Sequence, residues 1–199
     1  MFEILVAPSP VSSPGATLAY WRDASRFVEA SATYPPELAA AVEIDPILSS
    51  ASELSALLAN AIEFIRMRFD LYYAQIFLMD NGRYALKMCA GSGAIGRELL
   101  QSGYRLPYNP GSASGAAAAE RRPVFISDTA DGGMFWPNVL LPHARSELAV
   151  PLTLRDRLLG VLDLWSTQPG AFAVDCLPAV DAVASMLAHA IGRHVFVRH

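Results

Sequence analysis

The chain has 199 residues, 53% of them hydrophobic and 17% charged, and a formal net charge of −4. This length suits one domain with an extension, and the apolar fraction can bury a core without disulfides or metals, which excludes a disordered chain. The arginines are scattered, Lys87 is the single lysine and no basic block occurs, which argues against a nucleic-acid partner.

Residues 1–16 are rich in Pro, Ser and Gly and read as poorly ordered. Leu18 to Ala32 carries Tyr20, Trp21, Phe27 and Val28 at helical positions, and Pro35 and Pro36 close that segment. A short helix is expected from Glu37 to Ile44, stopped by Pro46. Ser50-Ala51-Ser52-Glu53 has the Ser-x-x-Glu capping-box pattern. Leu54, Leu57, Leu58, Ala61, Ile62, Ile65 and Phe69 then recur at helical spacing, which predicts an amphipathic helix ending near Phe69. Tyr72 to Met79 is a predicted strand. Asp80-Asn81-Gly82-Arg83 is a hairpin turn, because Asn-Gly tolerates positive φ. With a two-residue loop, Met79 faces Tyr84, Phe77 faces Leu86 and Gln75 faces Met88 on the return strand Tyr84 to Ala90.

Gly91-Ser92-Gly93 breaks that strand. Ala94 to Gln101 reads as a short helix and Gly103 to Leu106 as a short strand. Gly111 to Gly115 opens a small-residue helix, Ala116 to Glu120, which can approach a sheet or ligand closely. Pro123 to Ser127 is a further strand, and Asp128 to Pro142 an irregular loop or broken helix holding Phe135 and Trp136. Arg145 to Thr167 then reads as two strands joined by the polar turn Arg155-Asp156-Arg157. Leu148, Val150 and Leu152 alternate with Glu147, Ala149 and Pro151, and the nearly continuous apolar run Leu158 to Ser166 contains Asp163. A carboxylate inside a buried strand is costly unless partnered, so Asp163 and Glu147 are the candidate functional pair. Gln168-Pro169-Gly170 turns the chain. Asp175 is the expected cap of a last helix, with Leu177, Val180, Ala184, Leu187 and Ile191 on one stripe, continuing through Val195. The pattern divides into an N-terminal extension or linker, partly helical, over 1–49, and one α+β domain over 50–199.

Mean hydropathy is +0.29, yet no run approaches the roughly 18 apolar residues of a membrane span. Met1 to Val6 lacks a basic flank and runs into Pro8, so a secretory signal is not expected, and the chain reads as cytoplasmic. Cys89 and Cys176 are distant and flanked by apolar residues, which reads as two buried reduced thiols. Four histidines without close spacing give no zinc pattern, and no metal is expected.

Several blocks occur in a telling order: Asp80-Asn81-Gly82 between strands, Gly111 to Ala119, Arg122 to Asp128, Leu140 to Leu152 with Arg145-Ser146-Glu147-Leu148-Ala149-Val150-Pro151-Leu152, and Gly160-Val161-Leu162-Asp163-Leu164. Together they closely resemble a GAF domain over residues 50–194, in particular those of bacterial multi-sensor histidine kinases. The resemblance implies a central antiparallel sheet of five to six strands. It places the N- and C-terminal helices on one face, and short helices and a lid loop over a pocket on the other. It implies a pocket lined by Tyr73, Gln75, Phe77, Met79, Ser114, Phe135, Trp136, Leu140, Glu147, Ala149, Asp163 and Trp165, with Val161 on the same face and 128–142 as lid. Alternation then puts Ala74, Ile76, Leu78, Leu148, Val150, Leu152, Leu162 and Leu164 on the opposite, helix-covered face.

The implied role is a small-molecule-binding or dimerisation module of a signal-transduction protein. The terminal helices would carry the state of lid and pocket to a homodimer partner and to a downstream signalling domain or kinase. The ligand is unnamed by the sequence. Relatives that reduce free methionine sulfoxide resemble the chain at Glu147 and Asp163 but carry cysteine where Ser114 and Leu140 stand, and a second acid where Trp165 stands. Covalent bilin attachment is disfavoured because no cysteine lies between Cys89 and Cys176. His143 is a lone lid histidine and a weak haem candidate. An enzyme using Glu147 and Asp163 as acid and base is the rival reading, and a purely structural dimerisation domain a third. Arg145 is a candidate partner for the acids.

Overall fold

The hairpin of the two acid-bearing strands is the centre from which the fold is built outward. The structure, a computed structural model, describes residues 36–80, 82, 84–131 and 140–196. The helix expected over Leu18 to Ala32, and Asn81, Arg83, Phe135, Trp136 and Val197, lie outside the described residues. In chain order the elements are α1 (Pro36–Ser50), α2 (Leu54–Arg68), β1 (Tyr73–Asp80), β2 (Ala85–Gly91), α3 (Gly93–Gln101), β3 (Arg105–Pro107), α4 (Ala113–Glu120), β4 (Val124–Ile126), β5 (Ser146–Leu154), β6 (Arg157–Ser166) and α5 (Leu177–Phe196). The strands form one six-stranded sheet in the order β3-β2-β1-β6-β5-β4, and every pairing is antiparallel.

Leu154 pairs with Arg157, so the β5–β6 turn consists of Arg155 and Asp156, both left-handed at φ 47° and 61°. Two positive φ values match the twist of the flanking strands, and Arg157 therefore belongs to β6 rather than to the turn. Side-chain alternation sorts the sheet into two layers. Ala74, Ile76, Leu148, Val150, Leu152, Leu162 and Leu164 join Ile44, Leu48, Leu57, Ile62 and Leu187 in a core beneath α1, α2 and α5. Tyr73, Phe77, Ala149, Val161 and Trp165 join Leu99 of α3 and Ala113, Ala116, Ala117 and Ala118 of α4 in a second cluster on the other face. The α+β antiparallel sheet of five to six strands implied by the resemblance is thus the observed fold, with six strands.

Four local expectations are corrected. First, α1 continues through Pro46 to Ser50. Ala40, Ile44 and Leu48 are buried in the core with α5, which holds the helix together across the proline. Pro46 and Val42, whose carbonyl loses its helical donor, are both exposed, so water can take up that carbonyl. Second, the capping box does not form. Ser50 Oγ donates to Ile47 O at 3.0 Å, spent on the last turn of α1, and Glu53 caps α2 without a side-chain hydrogen bond. Third, Asp80 pairs with Ala85, Met79 with Leu86 and Phe77 with Met88. The β1–β2 loop is four residues long, with Tyr84 left-handed at φ 48°, and a bulge at Cys89 moves Gln75 opposite Gly91. The slip from loop length is two residues, so each side chain keeps its face. Fourth, Asp175 lies within a 3-10 turn, Val174–Cys176, ahead of the first residue of α5.

The β1–β6 pairing needs a residue without a side chain at one point. Gly160 sits opposite Leu78, and a Cβ there would stand 1.9 Å from Phe77 O and 3.0 Å from Leu78 Cα. Both obstacles are backbone, so Gly160→Ala is expected to cost at least the roughly 1–3 kcal/mol of core overpacking, read as a lowered midpoint in urea unfolding. An unchanged midpoint would mean that β1 and β6 separate freely at that step.

Candidate functional site

Register brings the polar residues of three strands into adjacent rows. Asp163 of β6 stands between Gln75 of β1 and Ala149 of β5, and Trp165 stands between Tyr73 and Glu147. Glu147 and Asp163 are therefore diagonal neighbours on one face. They are 4% and 1% exposed. Above them lies α4, whose first turn is capped by Ser112, its Oγ accepting from Gly115 N at 3.0 Å. Its alanines allow the close approach that buries Ser114 against the sheet.

Hydrogen bonds converge on one oxygen of Asp163. Gln75 Nε2 donates to Oδ2 at 2.7 Å, and Trp165 Nε1 donates to the same atom at 3.1 Å. Tyr73 O–H donates to Gln75 Oε1 at 3.3 Å and orients the amide. Among the described residues, Asp163 Oδ1 and Ser114 Oγ are buried and make no hydrogen bond of ordinary geometry. Ser114 and Glu147 still interact with Asp163 closely enough to favour its ionised form, so the two atoms are poorly aligned within the cluster and keep capacity for a further donor.

Burial pushes the Glu147 carboxyl well above the usual carboxylate range, and the neighbouring Asp163 pushes it further. Burial raises Asp163 as well, but Gln75, Glu147, Trp165 and Ser114 all favour its ionised form. One proton therefore serves two carboxyls, and it resides on Glu147. Burial, and then the charge of Asp163, raise the Tyr73 and Tyr104 hydroxyls, so both stay neutral. Tyr104 packs on Phe77 with ring centroids 6.2 Å apart.

Tyr73, Gln75, Phe77, Ser114, Glu147, Ala149, Asp163 and Trp165 are all buried on or over this face. Met79 is half-buried at its margin. Leu140 is 36% exposed, and its neighbour Leu141 is buried in this cluster. Arg145 does not partner the acids. It forks Asp128, with Nε to Oδ1 at 2.9 Å and Nη2 to Oδ2 at 2.5 Å, which holds the Asp128 carboxyl below its usual range. That pair anchors the start of the 128–142 segment, together with Thr129 N donating to Arg145 O. Met88, Leu99, Leu141 and Ala144 also belong to the cluster and were not singled out from sequence. The apolar stripe of α3, Ile95 and Leu99, was the signal for one of them.

His143 is exposed and meets Tyr72 edge-on at 6.2 Å, away from the buried pair. Among the described residues no cluster of His, Cys, Asp and Glu has metal-site geometry. Cys176 is buried in the helix-side core and Cys89 packs against it, on the face opposite Asp163. Burial raises both thiols, Cys176 to about 11.

A family model described as GAF domain matches residues 51–192. The fold resembles the GAF domain of a phosphoenolpyruvate-protein phosphotransferase from Acinetobacter, with TM-score 0.70 and 17% identity, covering 83% of this chain and 99% of that one. The corresponding domain from Coxiella burnetii gives TM-score 0.70 and 17% identity, covering 81% and 95%. A free methionine-R-sulfoxide reductase from Neisseria meningitidis, in complex with its substrate, gives TM-score 0.64 and 22% identity, covering 77% and 87%. Among curated protein sequences, none matches the chain.

The protonated Glu147 has a thermodynamic signature. Its pKa is higher folded than unfolded, so its favourable contribution is complete below pH 4.5 and is lost as pH climbs toward the folded value. Glu147→Gln keeps a neutral donor and removes this term. The stability of the variant relative to wild type is expected to grow as pH rises above about 5, with a slope up to about 1.4 kcal/mol per pH unit, measured by urea unfolding; a flat difference would remove the shared-proton assignment. Both acids and the strands that hold them lie inside the matched span, which covers most of the chain, and the chain belongs to the GAF domain family.

Proposed function

We propose that the chain is a sensory module of a signal-transduction protein, of the kind found in bacterial multi-sensor histidine kinases. Its acid pair recognises a small molecule carrying an ammonium or another N–H donor. The observation that carries this reading is the buried cluster of Asp163, Ser114 and Glu147, in which Asp163 Oδ1 and Ser114 Oγ lack a well-aligned partner among the described residues, within a largely apolar layer. Both accept hydrogen bonds, and the adjacent Glu147 becomes a second acceptor once it gives up its proton. The reductase among the structural neighbours acts on a free amino-acid derivative, which supports an amino acid or similar amine as the ligand class.

Signal transfer follows from connectivity. β5 packs on α5, and α5 packs on α1, so a shift of the acid-bearing strands reaches both terminal helices. A ligand moves such an equilibrium only by its differential affinity for the two states. Homodimerisation through α1 and α5 is part of the proposal, as is a cytoplasmic setting; no helix among the described residues is long and apolar enough to cross a membrane.

Turnover is not part of this reading. Thiol reduction chemistry needs a thiolate beside the substrate, and Cys89 and Cys176 lie on the far side of the sheet with raised pKa values. The purified protein incubated with free methionine sulfoxide and dithiothreitol is expected to yield no methionine; reduction would restore the enzyme alternative.

Binding of an ammonium takes over the role of the Glu147 proton, so affinity for a primary amine rises from pH 5 to pH 8. Native mass spectrometry of the purified protein, followed by titration with a panel of free amino acids, tests this. A bound amine in wild type, lost in Asp163→Asn, is the expected result. No amine bound at any pH, with Asp163→Asn as stable as wild type, would leave the structural dimerisation role instead.

A further inference from the structure

α1 is apolar on more sides than the rest of the domain covers. Ala40, Ile44 and Leu48 enter the helix-side core, α5 packs along the helix, and Arg68 Nε of α2 donates to Glu43 at 2.7 Å. The side left over carries Leu38, Val42 and Pro46, spaced four residues apart on one stripe. Leu38 is 46% and Val42 44% exposed, and Pro46 is exposed beside them. One such side chain on a surface needs no explanation, but a row of three over about 12 Å of helix is a seam for another element. Pro46 has no N–H for the Val42 carbonyl, so the seam also offers an acceptor.

The chain itself carries a segment that fits this seam. Residues 1–35 precede α1 and lie outside the described residues. Within them Tyr20, Trp21, Ala24, Phe27 and Val28 fall at i, i+1, i+4, i+7 and i+8, which is one face of a helix, and Arg22, Ser25, Arg26 and Glu29 fall on the other. Thr33, Tyr34 and Pro35 separate this pattern from the start of α1. A loop of that length suits an antiparallel helix pair, and Pro35 followed by Pro36 interrupts the helix there. Folding back about Tyr34 sets Phe27 and Val28 level with the Leu38 and Val42 pair, and Trp21 level with Pro46. Tyr20 and Trp21 bring an O–H and an N–H, the donors that the Val42 carbonyl can use.

We propose that residues 18–32 form an arm that docks as a helix, antiparallel, on the Leu38, Val42 and Pro46 stripe of the same chain. A short loop keeps the arm at an effective concentration of about millimolar or above. That favours it over a second copy, which must bind from dilute solution. Aromatic and aliphatic side chains fill the seam, and the charged face of the arm takes over as the outer surface. The inference goes beyond the sensory reading and requires no ligand in the acid layer. An arm on α1 and a partner copy on α1 exclude each other, so the arm governs how much of α1 the proposed dimer contact can use.

The test is hydrogen–deuterium exchange of the full chain, read by mass spectrometry at micromolar concentration. Val42→Asp puts a charge on the exposed stripe and leaves the buried side of α1 intact. It is expected to speed exchange of residues 18–32 about tenfold, and Phe27→Asp to do the same. Amides of α2 and β6 keep their wild-type rates in both variants, which shows that the domain remains folded. The double variant Phe27→Cys with Val42→Cys is expected to form a disulfide within one chain in the presence of dissolved oxygen, located by peptide mapping. Three results each overturn the proposal: exchange of residues 18–32 in wild type at the rate of an unstructured peptide, equal exchange in Val42→Asp and wild type, or a disulfide between chains only. A second copy seated on the stripe gives the last two, with a mass by light scattering that halves in Val42→Asp.

Discussion

Two carboxyl groups buried in one apolar layer set the terms for this molecule. Among the described residues neither Glu147 nor Asp163 has a cation beside it, and Arg145 turns outward to Asp128. Ionising both in so dry a place is prohibitive, and the solution is a single shared proton. Gln75 and Trp165 stabilise the charge that remains on Asp163. The rings and α4 alanines above the sheet then pack around this acidic pair, in which Asp163 Oδ1 and Ser114 Oγ lack a well-aligned partner among the described residues.

The two faces of the sheet do different work. The helix side is apolar throughout and mostly aliphatic, with Ile44, Leu57, Ile62, Leu162 and Leu187 packed together. It supplies the stability that the other side consumes. The opposite layer mixes aromatic rings, small alanines and acids, a combination that brings polar chemistry into the interior. Small residues make the arrangement possible at two places. Gly160 lets β1 and β6 pair closely, and the alanines of α4 let its backbone settle over Asp163.

β5 and β6 connect these layers to the rest of the chain. Their first and last residues hold the acid pair and the start of the 128–142 segment. Their turn, strained at Arg155 and Asp156, meets the end of α5. A hairpin gripped at both ends is a sound element for carrying a change from one end to the other, because its register is pinned by nine paired positions and one bulge.

Much of this was legible in the residues alone. Period-2 alternation in 146–166 separates Leu148, Val150 and Leu152 from Glu147 and Ala149, and that parity decides which face each strand buries. Parity survived even the four-residue β1–β2 loop, since an even slip changes partners but not sides. Local rules failed where distant packing outweighed them. Pro46 reads as a stop, yet α5 holds α1 intact across it. Ser50 reads as a cap for α2, yet it ends α1. Leu140 and Leu141 are indistinguishable as letters, and only the course of the backbone buries one and exposes the other. The sequence by itself determined most elements and their faces, because these depend on spacing within a strand or helix, and its motif blocks carried the family resemblance. Tertiary structure alone decided which oxygen of Asp163 is satisfied and where Arg145 pairs, because each depends on side chains brought together from elements far apart in the chain.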